Sequence, residues 1–410
     1  MTRTLPEQHN AKILIVSAVF PPEPVVSANL SSDVAKALIV RNSPFVVSPP
    51  PSRPYGFNFD NKYSHDYFEF KHIQLKSYTC PQSRLIGRLM ESYSFGKHSS
   101  RFIKQRAQDI DVIYANTWPL LAQFLTVKTS KRFRIPIIIH VQDVYPESLT
   151  SKLPIISQLL NICLLPIDKY ILRNASIVIA ISDKMKNYLV KTRKLDGQKV
   201  FVIPNWQDEE EFIGFRQSKQ KNVSNYTFTF MYLGNIGPVA GIDLLIDGFV
   251  KNNMPNCRLI IAGSGSQKEY LQKKCIQDKL VHIEFWDVPK GKVPEIQDQA
   301  DVMLLPIKKG AASSSIPSKM PAYMFSAKPI IATVDCDSDT ANAIREAGCG
   351  WVIEPENPTA LASMMQKVSM MAGEELLAMG LRGREYALQH FSKQANLSKL
   401  VSVIEGVLEK

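Results

Sequence analysis

Residues 231–249 read MYLGNIGPVAGIDLLIDGF. The apolar run 228–233 predicts a buried strand, Gly234, Gly237 and Gly241 punctuate a turn, and residues 242–250 carry helical apolar spacing. Glycine lets backbone N–H groups approach an anion, and the start of the following helix adds partial positive charge. The same glycines equally serve a tight strand–helix turn. One unit later, IIAGSGS at 260–266 repeats the arrangement with Gly263 and Ser264, ahead of a helix over 267–277. Strands at 281–285, 302–305 and 328–332 and helices near 318–325, 340–347 and 359–371 continue the alternation.

Working back toward the N-terminus, KILIVS at 12–17 ends in the turn FPPEP (20–24), and a helix over 27–40 follows. Further strands are expected at 111–115, 135–140, 176–181 and 200–203, with a helix over 183–190. Near-continuous apolar strands alternating with helices predict parallel sheets covered on both faces. A chain of 410 residues outgrows the roughly 250–300 at which one core stops growing. The polar stretches at 208–211 and 216–225 mark the boundary between 1–206 and 207–390, with an amphipathic run in 391–410. The expected class is α/β, two Rossmann-like doubly wound parallel-sheet domains whose strand ends face an interdomain cleft.

Composition excludes a disordered chain, since 45% of residues are hydrophobic and 21% charged. Six cysteines without a C-x-x-C pair predict neither a disulfide framework nor a cysteine metal site, and fit a reducing compartment. Residues 1–10 lack the apolar core of a secretion signal, and 153–167, the most apolar stretch, falls short of the roughly 20 residues that span a bilayer. A cytoplasmic protein is expected. Charge is unevenly placed: residues 1–205 hold 27 Lys and Arg against 14 Asp and Glu, a net +13, whereas 206–410 hold 22 against 24. The first half should therefore meet something anionic. Nucleic acid is not the expected partner, because no recognised module or basic–aromatic sheet pattern accompanies the charge. Residues 83–106 interleave Arg84, Arg88, Lys97, Arg101, Lys104 and Arg106 with Leu85, Leu89, Tyr93, Phe95 and Phe102, as an interfacial helix pair would, and 153–167 gives it an apolar neighbour. A solvated basic face beside ordinary core would read the same way.

Two segments carry candidate chemistry. SSSIPSKMPAY (313–323) offers Ser313, Ser314, Ser315 and Ser318 with Lys319 in a first helical turn, a socket for a diphosphate or a serine-rich loop with a solvated lysine. HVQDVYPES (140–148) follows the apolar strand IPIII, where ligands bind in such sheets. There His140, Asp143 and Glu147 could hold a sugar hydroxyl or take its proton, or His140 could be a core histidine and Asp143 a turn cap. Asp335, Asp337 and Asp339 alternate in a late loop and read as solvated turn residues; no metal site is expected.

FPPEP, HVQDVYPES, DKYILRNASIVIAIS, VIPNW, the GNIG loop, IIAGSGSQKEYL, ADVMLLP and IPSKMPAYMFSAKPIIA, taken in order from about residue 12 to 390, resemble the GT4 family of retaining glycosyltransferases. The resemblance is strongest to the branch that assembles bacterial O-antigen, capsule and colanic acid, with its fucosyl- and N-acetylfucosaminyl-type transferases. It implies a GT-B fold with acceptor on the first domain, nucleotide-sugar donor on the second, a last helix crossing back to the first, and no metal or other cofactor. Carried onto this chain, it places the donor at Gly234, Asn235, Gly237, Gly263, Ser264, Val288, Ser313, Ser314, Ser315, Ser318 and Lys319. Pro22, Ser27 and Asn29 fall on the acceptor side, and the loop 286–290 on the nucleotide base. The chain departs from the family at several points. Asn235 and Ala240 stand where an Arg and a Lys grip the diphosphate, Ser314 and Ala322 where two glutamates stand, and Val25, Val26 and Ser27 replace a double glycine. This N-I-G and P-S-K form is frequent in the polysaccharide branch.

The resemblance implies transfer of a sugar, with retention, to a hydroxyl of a glycan held on a polyprenyl diphosphate, by a protein peripheral to the inner face of the plasma membrane. Lys319 and loop amides would stabilise the leaving diphosphate, His140 and Asp143 would orient sugar or acceptor, and Glu147 counts with them and Lys319 among the catalytic residues. A nucleotide-sugar 2-epimerase of similar fold, or a decayed transferase serving as a scaffold, are the alternatives.

Overall fold

The computed structural model describes residues 10–53, 59, 68–82, 85–116, 120–150, 157–215, 227–238, 240–252, 254–309 and 316–409. It divides into two compact units, residues 1–205 with 396–410, and residues 206–395.

In the first unit seven strands are described: β1 (Lys12–Val16), β2 (Ser43–Ser48), β3 (Lys71–Gln74), β4 (Val112–Ala115), β5 (Ile137–Val141), β6 (Ile177–Ala180) and β7 (Val200–Val202). All pair in parallel, in the order β3-β2-β1-β4-β5-β6-β7. The second unit has β8 (Phe228–Leu233), β9 (Cys257–Ala262), β10 (Ile283–Trp286), β11 (Val302–Pro306), β12 (Ile330–Thr333) and β13 (Gly350–Ile353), again parallel, ordered β10-β9-β8-β11-β12-β13. Both sheets are buried on two faces, which is why their strands read as unbroken apolar runs rather than alternating ones. On β8 and β9, Met231, Ile260 and Ala262 enter one cluster while Phe230, Tyr232, Leu259 and Ile261 enter another. Strand order reverses between β1 and β4 and between β8 and β11, so each sheet opens a crevice there at its carboxyl edge.

Three strands escape the sequence reading. SPFVVS begins with Ser–Pro, KHIQ has one apolar residue, and GWVI is short and opens on glycine. The expected interfacial helix pair is instead one continuous helix, Leu85–Gln105. Gly96 does not break it, because a Cβ there would stand 2.6 Å from Ala122 Cα; the glycine lets helix Leu120–Phe133 pack close. Arg84 and residues 151–156 of the apolar neighbour lie outside the described residues; helix Ser157–Asn174 follows them. The terminal helix Lys393–Leu408 places its 396–408 portion with the first unit, where Glu405 accepts from Arg41 (3.0 Å) and Asn42 (2.9 Å).

Candidate active site

In the second unit the turn after β8 and the turn after β9 are stitched by backbone hydrogen bonds. Gly234 N–H donates to Ala262 O (3.0 Å), Ile236 N–H to Ser264 O (2.8 Å) and Gln267 N–H to Ile236 O (3.0 Å). The stitching requires glycine: residue 263 has φ +137°, and a Cβ there would meet Gly234 O at 2.0 Å. Gly263 and Gly237 are buried, while Asn235 and Ser264 are exposed.

Lys319 begins the short helix Lys319–Phe325, and its side chain lies across the glycine turn: a Cβ on Gly234 would stand 2.1 Å from Lys319 Cε. Its ammonium sits 5.7 Å from the Tyr232 ring centroid, a cation–π contact. Burial lowers its pKa, and among the described residues no carboxylate pairs with it. A half-buried cation that, among the described residues, meets a ring and no acid is poised for an anion. The turn under it is held by Tyr232, whose hydroxyl donates to Asn235 O (2.8 Å), and by Tyr323, whose hydroxyl donates to Leu233 O (2.8 Å) and accepts from Leu233 N–H (3.1 Å). Ser318 is exposed beside it; Ser313, Ser314 and Ser315 lie outside the described residues.

Lys268 escaped the sequence reading. Its ammonium donates to Gly263 O (2.9 Å), Trp286 O (3.1 Å) and Asp287 Oδ1 (2.6 Å), tying the turns after β9 and β10 together. Val288, half-buried, packs on the core beneath that second turn. A lysine one residue into a helix looks solvated from sequence, and only the fold brings carbonyls from two strands to it. Ser338 of the aspartate-rich loop caps helix Asp339–Ala347 by accepting from Ala341 N–H (3.2 Å). Among the described residues no group of three or more His, Cys, Asp or Glu could hold a metal.

In the first unit His140 lies on β5 at 1% exposure, with Nδ1 2.7 Å from the Tyr114 hydroxyl. Burial pushes its pKa down to about 4 and pushes that of Tyr114 up, so the ring is neutral near pH 7. Nε2 is buried and has no hydrogen-bond partner, and it carries the ring proton in the tautomer in which Tyr114 donates to Nδ1. Asn116 directly follows β4, alongside His140 in the register that pairs Ala115 with Ile139, and it was not expected. Its amide donates to Ser31 Oγ (2.7 Å), and its Oδ1 is also buried and unpartnered. Ser31 Oγ in turn lies 2.8 Å from Ser17 Oγ, just past β1. The signal for Asn116 was a polar residue straight after the buried strand VIYA.

Glu147, expected among the catalytic residues, is held by an arginine. Arg193, 0% exposed, donates Nη1 to Glu147 Oε1 and Nη2 to Oε2 (both 2.7 Å) and Nε to Asp168 Oδ2 (2.7 Å). Tyr188 adds a hydrogen bond to Oε1 (2.7 Å). Burial alone would raise the Glu147 carboxyl, but the Arg193 and Tyr188 hydrogen bonds outweigh it and hold it below the ordinary range. A buried guanidinium must be matched by anions, and Glu147 serves that need. Asp143 is exposed. Pro22 and Ser27 are half-buried and Asn29 is exposed, at the turn after β1 and the first turns of helix Val26–Leu38, whose N-cap Val25 offers no side-chain acceptor. Glu23 in that turn is buried and accepts from Ser52 N–H (2.7 Å) and Arg53 N–H (2.9 Å).

Comparison with known families places both units. The model described as "Glycosyltransferase Family 4" matches residues 33–211, and that described as "Glycosyl transferases group 1" matches 227–370. The chain belongs to these glycosyltransferases. It is 24% identical over 350 residues to the probable glycosyltransferase WbjE of Pseudomonas aeruginosa, covering 80% of this chain and 82% of that one. It is 23% identical over 243 residues to the putative colanic acid biosynthesis glycosyl transferase WcaI of Escherichia coli K12, covering 57% and 58%. The crystal structure of Anabaena Alr3699/HepE in complex with UDP matches with TM-score 0.69 at 15% identity, covering 96% of this chain and 100% of that one. The fold of this glycosyltransferase is therefore GT-B, and the glycine turns, Lys319 and the His140–Asn116 pair lie at the carboxyl edges of its two sheets.

Proposed function

We propose that this glycosyltransferase moves a sugar from a nucleotide diphosphate sugar to a hydroxyl of a glycan carried on a polyprenyl diphosphate, with retention, in bacterial surface polysaccharide assembly. The observation that carries the reading is Lys319: a half-buried ammonium without an acid partner among the described residues, laid over the Gly234 turn. Negative charge grows on the diphosphate as the glycosidic bond breaks, and a preset cation with loop amides stabilises that charge more than the ground state. The names of WbjE and WcaI, and the UDP held by HepE, support the substrate class.

Retention fits a same-face displacement in which the departing phosphate oxygen takes the acceptor's proton, since Glu147 is bound to Arg193 and the His140 ring is buried with the Tyr114 hydroxyl on Nδ1. His140 Nε2–H and Asn116 Oδ1, a donor and an acceptor both unpartnered, suit a sugar hydroxyl, which offers both functions. No helix among the described residues is long and apolar enough to cross a membrane. We place the enzyme on the cytoplasmic face of the plasma membrane as a peripheral protein that needs neither metal nor other cofactor, with Pro22, Ser27 and Asn29 toward the acceptor.

The test is a thermal-shift and calorimetry screen of UDP-, GDP- and dTDP-sugars with Lys319→Ala alongside. One donor class should raise the melting temperature of the wild type, and the variant should lose about 1–3 kcal/mol of its binding, the range of a charge-assisted contact. No binding by any donor would leave a scaffold, and an acceptor-independent change in the donor sugar would make the protein an epimerase.

A further inference from the structure

Helix Leu85–Gln105 buries one side and leaves the opposite side bare. Its inward residues are Glu91, Ser92, Phe95, Ser99 and Ile103. The outward residues Ile86 (72% exposed), Leu89 (39%), Met90 (54%) and Tyr93 (54%) recur at helical spacing and form one apolar stripe. Tyr78 (47% exposed) widens it, since its hydroxyl lies 3.7 Å from where a Cβ on Gly87 would stand. Along the same line the stripe turns cationic, with exposed Lys97, Arg101 and Lys104. The helix has a single acid, Glu91, which is buried and paired with Arg53. Leaving such an apolar stripe in water is unfavourable unless something covers it.

We infer that this outward face rests on an anionic lipid bilayer, the Ile86–Tyr93 end entering the headgroup region and the Lys97–Lys104 end lying on the phosphates. The inference rests on the proposed lipid-linked acceptor and names the surface that brings the enzyme to it. Apolar and basic residues sharing one exposed line match a bilayer surface, which is apolar below and anionic above. A second copy of the chain fits less well: pairing the stripe with itself sets cations against cations or against apolar side chains. The uneven charge, +13 over residues 1–205, strengthens the same attraction.

The full chain should co-sediment with phosphatidylglycerol–phosphatidylethanolamine vesicles, less so at high salt, and not with phosphatidylcholine vesicles. Two triple variants, Ile86→Ser/Met90→Ser/Tyr93→Ser and Lys97→Gln/Arg101→Gln/Lys104→Gln, should each bind about tenfold less or weaker still. The second should also lose most of the salt dependence. Both should keep the wild-type thermal shift with the nucleotide sugar, which separates this inference from the donor reading. It is overturned if the wild type stays in the supernatant, if either variant sediments like the wild type, or if the apolar variant merely turns a dimer into a monomer.

Discussion

Lys319 and Gly234 touch so closely that the side chain of one occupies the place where the other would carry a Cβ, 2.1 Å from Lys319 Cε and 2.9 Å from Cδ. The closest obstructing atoms are the far end of a flexible chain, with the Tyr232 hydroxyl next at 3.1 Å, so Gly234→Ala should fold and melt within about 1 kcal/mol of the wild type. Its ammonium, however, must move. Nucleotide-sugar affinity should fall about as far as in Lys319→Ala, and the double variant should be no worse than either single one, a non-additivity that calorimetry would read directly. Additive losses would mean that the two residues act separately.

Gly263→Ala is a different case. The new Cβ would meet a backbone oxygen, Gly234 O, at 2.0 Å, and alanine at φ +137° is strained. A loss of about 2 kcal/mol or more in urea unfolding is expected, together with weaker donor binding.

The buried His140 makes stability depend on pH. Its folded pKa, lowered to about 4, lies below the ordinary 6.5, so the unfolded chain binds the extra proton first. The stabilisation is present above pH 6.5 and is lost as pH falls toward 4, by on the order of 3 kcal/mol for one such group. His140→Asn should flatten that part of the profile of urea midpoint against pH. Tyr114→Phe should leave Nδ1 without a partner and cost about 1–3 kcal/mol at pH 7.

Arg193 tests whether Glu147 serves structure or chemistry. Arg193→Ala strands Glu147 and Asp168 without their cation and should destabilise the first unit by about 3–5 kcal/mol. Glu147→Gln keeps the shape and part of the hydrogen bonding, so it should lower the melting temperature with kcat nearly intact. A collapse of kcat without loss of stability would return Glu147 to the chemistry.

Much of this was legible in the chain. The unbroken apolar strands and the glycines after them announced two parallel sheets, because strands buried on both faces have no polar side to show. The weak strands Ser43–Ser48, Lys71–Gln74 and Gly350–Ile353 were not legible, since two lie at sheet edges and the third, Ser43–Ser48, has a proline as its second residue. Leu85–Gln105 forms one helix rather than the expected pair, and its Gly96 lies where a Cβ would stand 2.6 Å from Ala122 Cα, a packing relation that the sequence does not show.

The sequence by itself determined the fold class, since hydrophobic period and glycine placement are local properties written residue by residue, and its ordered motifs carried the family resemblance. Tertiary structure alone decided the partners of each charged group: Glu147 with Arg193, 46 residues apart, and Lys268 with carbonyls 5 and 18 residues away. Whether a carboxylate is free to react or a lysine free to bind depends on what the folded chain sets within about 3 Å of it, and spacing along the sequence does not encode that distance.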